Sequence, residues 1–264
     1  MDIIEIQHPS CHARIALQGA QLLEWTPHGC DHSLLWCTPD QYFQPGRAIR
    51  GGIPICWPWF NKQGQPSHGF ARTERWTLCT QETLSDRVIV TLELKDSAHT
   101  RELWPHSFHL RLTLSLGQEC QINLNIDCQA ASTGALHTYL NVGDVQNTQV
   151  SGLGLAYFDS LTQQQVQIDD LDAPALQINQ AIDRIYTTPL PLSIVRSPLF
   201  PSAIEVEHQH HQEVVVWNPW REGAQSLSDM NTDDFQKMLC VETASISHPL
   251  DTQLTMKLRL AADH

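Results

Sequence analysis

Leu110-Arg111-Leu112-Thr113-Leu114-Ser115-Leu116 decides how this chain folds. Every second residue is leucine, and the residues between are polar. A period of two puts all four leucines on one face of an extended strand and the polar residues on the other. The same period recurs on both sides. In Val88-Ile89-Val90-Thr91-Leu92-Glu93-Leu94 the even positions are all apolar. Ile122, Leu124, Ile126 and Cys128 alternate with Asn123, Asn125 and Asp127, and Leu254, Met256, Leu258 and Leu260 with Thr255, Lys257 and Arg259. Shorter strands are expected over 3–7, 14–17, 21–25, 135–141, 193–196, 204–208, 213–217 and 238–244. Helical signals are few: 97–103 behind a capping-type Asp96, and 233–238 after Asn231-Thr232. There is no βαβ rhythm and no Gly-x-Gly-x-x-Gly, which disfavours a dinucleotide fold. Residues 1–264 therefore read as one all-β domain, a large antiparallel β-sandwich or barrel with a few short helices.

The net charge of −13 makes a poor general binder of nucleic acid, because phosphate backbones are held by Lys and Arg. It should also repel anionic membranes and, at long range, anionic metabolites. No apolar run approaches the roughly 18 residues of a membrane helix. The N-terminus has neither the basic start nor the apolar core of a signal peptide. The eight cysteines form no Cys-x-x-Cys and several sit in apolar stretches, so they read as reduced thiols used as small hydrophobes. A cytoplasmic protein is expected, and a monomer.

One segment departs from this average. Residues 41–73 contain no acidic residue but hold Arg47, Arg50, Lys62 and Arg72. That is +4 within a chain of −13, so the remainder carries −17. Five glycines, four prolines and the aromatics Trp57, Trp59, Phe60 and Phe70 preclude regular structure and indicate a shaped loop region. Arginines and aromatics on a non-acidic loop favour a binding wall over a plain surface loop.

Familiar catalytic signatures are missing: no Gly-x-Ser-x-Gly, no Walker loop. His208 and His210 would share a strand face, but no carboxylate or cysteine pairs with them at metal-ligand spacing, so they read as a solvated strand end. In 135–141, His137, Tyr139 and Asn141 share one face, suited to a polar ligand or water. A strand histidine taken alone is more often structural. In 238–244, Glu242 shares a face with Cys240 and Ala244. A carboxylate there either costs solvation or faces a cavity, and partial desolvation would raise its pKa toward that of a general base. Trp217 and Trp220 follow a strong strand and could stack on a sugar ring, although at least one should be core.

Read together and in order, these residues resemble a known family. Arg50-Gly51-Gly52-Ile53-Pro54, Pro58-Trp59-Phe60, His68-Gly69-Phe70-Ala71-Arg72, Leu136-His137-Thr138-Tyr139, Asp183-Arg184-Ile185-Tyr186, Trp217-Asn218-Pro219-Trp220 and Cys240-Val241-Glu242 resemble the hexose-6-phosphate branch of the aldose 1-epimerase, or galactose mutarotase-like, family. The resemblance implies a supersandwich with an open groove across one sheet. It implies exchange of the α and β anomers of an aldose without metal or organic cofactor. It places His137 as general acid, Glu242 as general base, His68 and Asp183 against sugar hydroxyls, and Arg50 and Arg72 at the phosphate of a sugar-phosphate substrate. Asn61 stands where a glycine often follows the Pro-Trp-Phe run, and Leu140 where an aromatic is usual.

The reaction itself asks for these groups. Opening a hemiacetal ring takes a proton from the anomeric hydroxyl and gives one to the ring oxygen. After rotation about C1–C2 the ring recloses with the roles reversed. An imidazole and a carboxylate can do this without a metal. Two other readings stay open: a mutarotase for neutral aldoses, and a non-catalytic carbohydrate-binding protein on the same scaffold.

Overall fold

The computed structural model describes residues 1–169 and 175–262. The alternating segments form two large antiparallel sheets and a three-stranded one. The back sheet runs Leu176–Gln177, Gln149–Ser151, Leu192–Arg196, Ile204–Gln209, Gln253–Leu260, Cys120–Asp127, His109–Leu116, Val88–Lys95, Thr77–Thr83. The front sheet runs Gln164–Gln167, Ala156–Asp159, Ile182–Tyr186, Glu213–Asn218, Met238–Ser245, Gly134–Leu136, Ile55–Cys56, with Tyr139–Asn141 also paired to Met238–Ser245. Ile3–His8, Cys11–Ala16 and Gln21–Pro27 make the small sheet.

The leucine rows set the register. Leu110, Leu112, Leu114 and Leu116 stand opposite Ile126, Leu124, Ile122 and Cys120 on one side, and opposite Leu94, Leu92, Val90 and Val88 on the other. All of these are buried. Each buried leucine contributes roughly 2 kcal/mol, so a one-residue slip would forfeit four such burials at once. Strand Met238–Ser245 differs: it is buried on both faces. Its inner face meets the back sheet, where Thr243 Oγ1 lies 2.7 Å from His208 Nδ1. Its outer face carries Cys240 and Glu242, both also buried.

Three local expectations are corrected. Residues 135–141 are not one strand. Thr138 N–H turns back to Leu136 O (3.0 Å) and His137 N–H donates to Pro54 O (3.0 Å), which interrupts the ladder between Gly134–Leu136 and Tyr139–Asn141. Helix Ala98–Leu103 is capped by Ser97, not Asp96; Ser97 and Thr100 bond reciprocally, while Asp96 accepts from Phe108 N–H and Arg101. The second helical signal yields only a 3₁₀ turn, Asp234–Gln236, because Met238 already enters a strand. A short helix Trp220–Gln225 has no counterpart in the sequence reading. Among the described residues no helix is long and apolar enough to cross a membrane.

His208 is also corrected. It is 1% exposed, between the sheets, with Nδ1 at Thr243 Oγ1 and Nε2 3.0 Å from Ser193 Oγ. Burial, and then the neighbouring His211, push its pKa down to about 3. An unfolded histidine titrates near 6.5. Below that pH the unfolded chain takes up a proton that the fold refuses, so stability falls as pH drops from about 6.5 toward 3. The contribution lost by pH 5 is roughly 2 kcal/mol. Urea unfolding at pH 7 and pH 5 should show a smaller acid-induced loss in His208→Asn than in the parent chain. Equal losses would place the acid sensitivity elsewhere.

Candidate active site

The candidate site is built around the outer face of Met238–Ser245. Parity puts Cys240 and Glu242 there once Thr243 faces the back sheet. Glu242 is 1% exposed and stands opposite Val215; Cys240 stands opposite Trp217 on one side and Tyr139 on the other. Despite the interrupted ladder, His137 and Tyr139 keep a common face, with rings stacked at 4.8 Å. His137 Nε2 lies 3.3 Å from Glu242 Oε1. Trp217 stands edge-on to both rings, 6.1 Å from each.

The acid-free loop segment supplies the opposite wall. Gly69 bridges to Trp57, Ala71 N–H donates to Trp57 O (3.2 Å), and the chain between is turned by left-handed residues at His68 and Gly69. This turn sets His68 edge-on against Phe60 (4.8 Å) and His137 (5.6 Å). Asn61 also has positive φ, a conformation asparagine tolerates in place of glycine. Leu140 is buried in the core, so the missing aromatic does not alter the groove.

The two arginines are held differently. Arg50 Nε donates to Asp229 Oδ1 (2.8 Å) and Nη1 to the Tyr139 hydroxyl (3.2 Å). Arg72 Nη2 donates to Ser67 O (2.7 Å), and among the described residues no carboxylate pairs with it. Asp183 lies on Ile182–Tyr186; burial raises its pKa, and its charge acts on Glu242. It also lines a cleft of about 770 Å³ with Lys62, Phe158 and Ile185. Arg47 is exposed, its Nη1 donating to Gln44 Oε1 (3.1 Å). All six expected site residues thus gather at one face.

Burial sets the protonation of the central pair. It drives His137 well below the ordinary histidine value, helped by the positive charges of Arg72 and Arg50. It drives Glu242 well above the ordinary carboxylate value, helped by Asp183 and opposed by Arg72. Both shifts act in the same sense, favouring neutral imidazole at His137 and the protonated carboxyl at Glu242. His68 is held down to about 3 by burial and the two arginines, so it is neutral too. The ligand atoms of His137, Cys240 and Glu242 lie within 4.8 Å of one another, close enough to hold a metal ion.

A model of the aldose 1-epimerase family matches residues 2–257. The chain belongs to the aldose 1-epimerase family. Membership makes it an isomerase acting at the anomeric carbon of an aldose. A relative from Salmonella typhimurium is 39% identical over 99% of this chain and 89% of its own. One from Escherichia coli K12 is 40% identical over 94% and 84%. Both carry the provisional name glucose-6-phosphate 1-epimerase. The crystal structure of a provisionally assigned Salmonella typhimurium mutarotase superposes with a TM-score of 0.92 at 37% identity, covering 99% of this chain and 91% of that one. The aldose 1-epimerase fold accounts for the supersandwich.

Asp229 was not foreseen. It lies 179 residues from Arg50, in a loop with no periodicity, so no local signal marks it. Gly69 offers a direct test of the loop wall. A Cβ there would overlap the carbonyl of Trp57, and the backbone has φ +73°. Gly69→Ala should cost on the order of 3 kcal/mol and displace His68. Thermal unfolding together with anomer exchange checks this; a variant with native Tm and rate would show that the turn is not needed.

Proposed function

We propose that the chain interconverts the α and β anomers of hexose 6-phosphates, with glucose 6-phosphate as the preferred substrate. The observation that carries the reading is the buried His137–Glu242 pair beside Arg72, a cation with no carboxylate partner among the described residues. The names of the relatives point the same way.

The two oxygens that exchange protons, the anomeric hydroxyl and the ring oxygen, are bonded to the same carbon. They lie close enough to face two side-chain atoms 3.3 Å apart. In the reacting form the shared proton sits on His137, and Glu242 is a carboxylate. Glu242 takes the anomeric proton while His137 gives its own to the ring oxygen. C1–O5 breaks, the aldehyde rotates about C1–C2, and the ring recloses as protons return in the opposite sense. Because the groups exchange one proton, they titrate as a pair rather than singly. His68 and Asp183 hold sugar hydroxyls, and Trp217 offers an aromatic face to the ring.

A phosphate dianion at Arg72 does two things. It anchors the sugar through a charge-assisted hydrogen bond. It also offsets the positive field that disfavours imidazolium at His137. A neutral hexose does neither, which separates this reading from a mutarotase for unphosphorylated aldoses. A purely binding protein would not require an acid–base pair.

Glu242→Gln should retain fold and sugar-phosphate binding while catalysed exchange falls by about 100-fold or more. NMR exchange spectroscopy on glucose 6-phosphate measures it, and near-parental exchange would remove Glu242 from the reaction. Arg72→Ala should lower kcat/KM for glucose 6-phosphate by about tenfold or more while changing that for glucose much less. Equal losses on the two sugars would favour the neutral-aldose reading.

A further inference from the structure

We propose that Cys240, His137 and Glu242 together bind a thiophilic divalent cation of the zinc class, and that this ion and the sugar exclude one another. The inference rests on the proposed reading of the groove only for that exclusion. Cys240 has no part in the anomer exchange described above; it is fully buried at the edge of the core, on the same strand face as Glu242. Its sulfur, an imidazole nitrogen and a carboxylate oxygen lie within 4.8 Å of one another. A tetrahedral zinc ion with bonds of ~2.0–2.3 Å needs ligand atoms roughly 3.3–3.7 Å apart. His137 Nε2 and Glu242 Oε1 already stand at 3.3 Å. The remaining adjustment is about an ångström at the sulfur, within reach of a cysteine side-chain rotation.

A second observation points to a ligand. Glu242 Oε2, on the carboxylate that would ligate the ion, is buried with no hydrogen-bond partner among the described residues. A buried carboxylate oxygen left this way is costly unless something binds there. The other buried thiol nearby, Cys56, is not one of the three clustered ligands. One sulfur, one nitrogen and one oxygen suit zinc or cobalt and give magnesium or calcium little to hold. Binding releases the thiol proton and the proton shared by His137 and Glu242 to solvent. The ion then occupies the lone pairs that move protons in the reaction, so it inhibits.

Cobalt(II) is the probe, added to the full chain. We expect one ion per chain, a sulfur-to-cobalt charge-transfer band and the intense visible bands of four-coordinate cobalt, all displaced by zinc. Cys240→Ser should lose the charge-transfer band and bind at least about 100-fold more weakly. Cys79→Ser, which removes the exposed thiol, should keep both. Should Cys240→Ser fail to fold, His137→Gln must lose the four-coordinate visible bands. Bands that survive Cys240→Ser, bands that vanish in Cys79→Ser, or no stoichiometric binding would each overturn the site. Zinc should also slow exchange of glucose 6-phosphate competitively, with magnesium inert; non-competitive inhibition would refute the exclusion. A chain that binds one cobalt through Cys240 but catalyses no exchange would keep the metal site and remove the epimerase reading.

Discussion

Strand Met238–Ser245 is buried on both faces, and that double burial shapes everything near it. A strand with one wet face could carry a glutamate at no cost. Here the alternation that sends Thr243 to the back sheet sends Glu242 to the opposite face, where it is buried as well. A lone buried carboxylate is expensive, so it takes up a proton or finds a partner. Glu242 does both: its pKa rises, and His137 stands 3.3 Å away. A packing constraint of the sandwich thereby becomes an acid–base pair with one mobile proton.

The pair works only if its surroundings do not pin that proton. Arg50 and Arg72 both disfavour imidazolium at His137, but they are not equivalent. Arg50 is neutralised by Asp229 and fixed by Tyr139, whose ring stacks on His137. Through Tyr139 it is linked to the aromatic stack as well as to Asp229. Arg72 is tethered only by the Ser67 carbonyl among the described residues. A bound dianion therefore has its largest electrostatic effect at Arg72, where no carboxylate has to be displaced.

The strands of the back sheet were legible because one-sided burial imposes a period of two. The face shared by Cys240 and Glu242 followed from the same parity, whereas His137 and Tyr139 share a face across a break in the strand. Three kinds of feature were not legible. The break at Thr138 depends on backbone bonds to Gly52 and Pro54, which only the folded loop provides. The burial of His208 depends on hydroxyls at Ser193 and Thr243, each on a different strand. Asp229 is coupled to Arg50 across 179 residues. In each case the deciding partner is distant in sequence, so no local pattern carries the information.

A net charge of −13 would repel an anionic substrate if charge acted as an average. It does not, because the field is screened over about 8 Å at physiological salt. Within the groove the nearest cations are Arg50 and Arg72, and one is already spent on Asp229. A single uncompensated guanidinium beside a buried pair suits a compact dianion that enters with a sugar attached. It does not suit a polyanion, which needs a run of cations and would meet the −17 carried outside residues 41–73. Long-range acidity and short-range basicity thus act on different ligands. On the proposed reading, the first disfavours extended anions and the second acts at hydrogen-bond distance on the sugar phosphate.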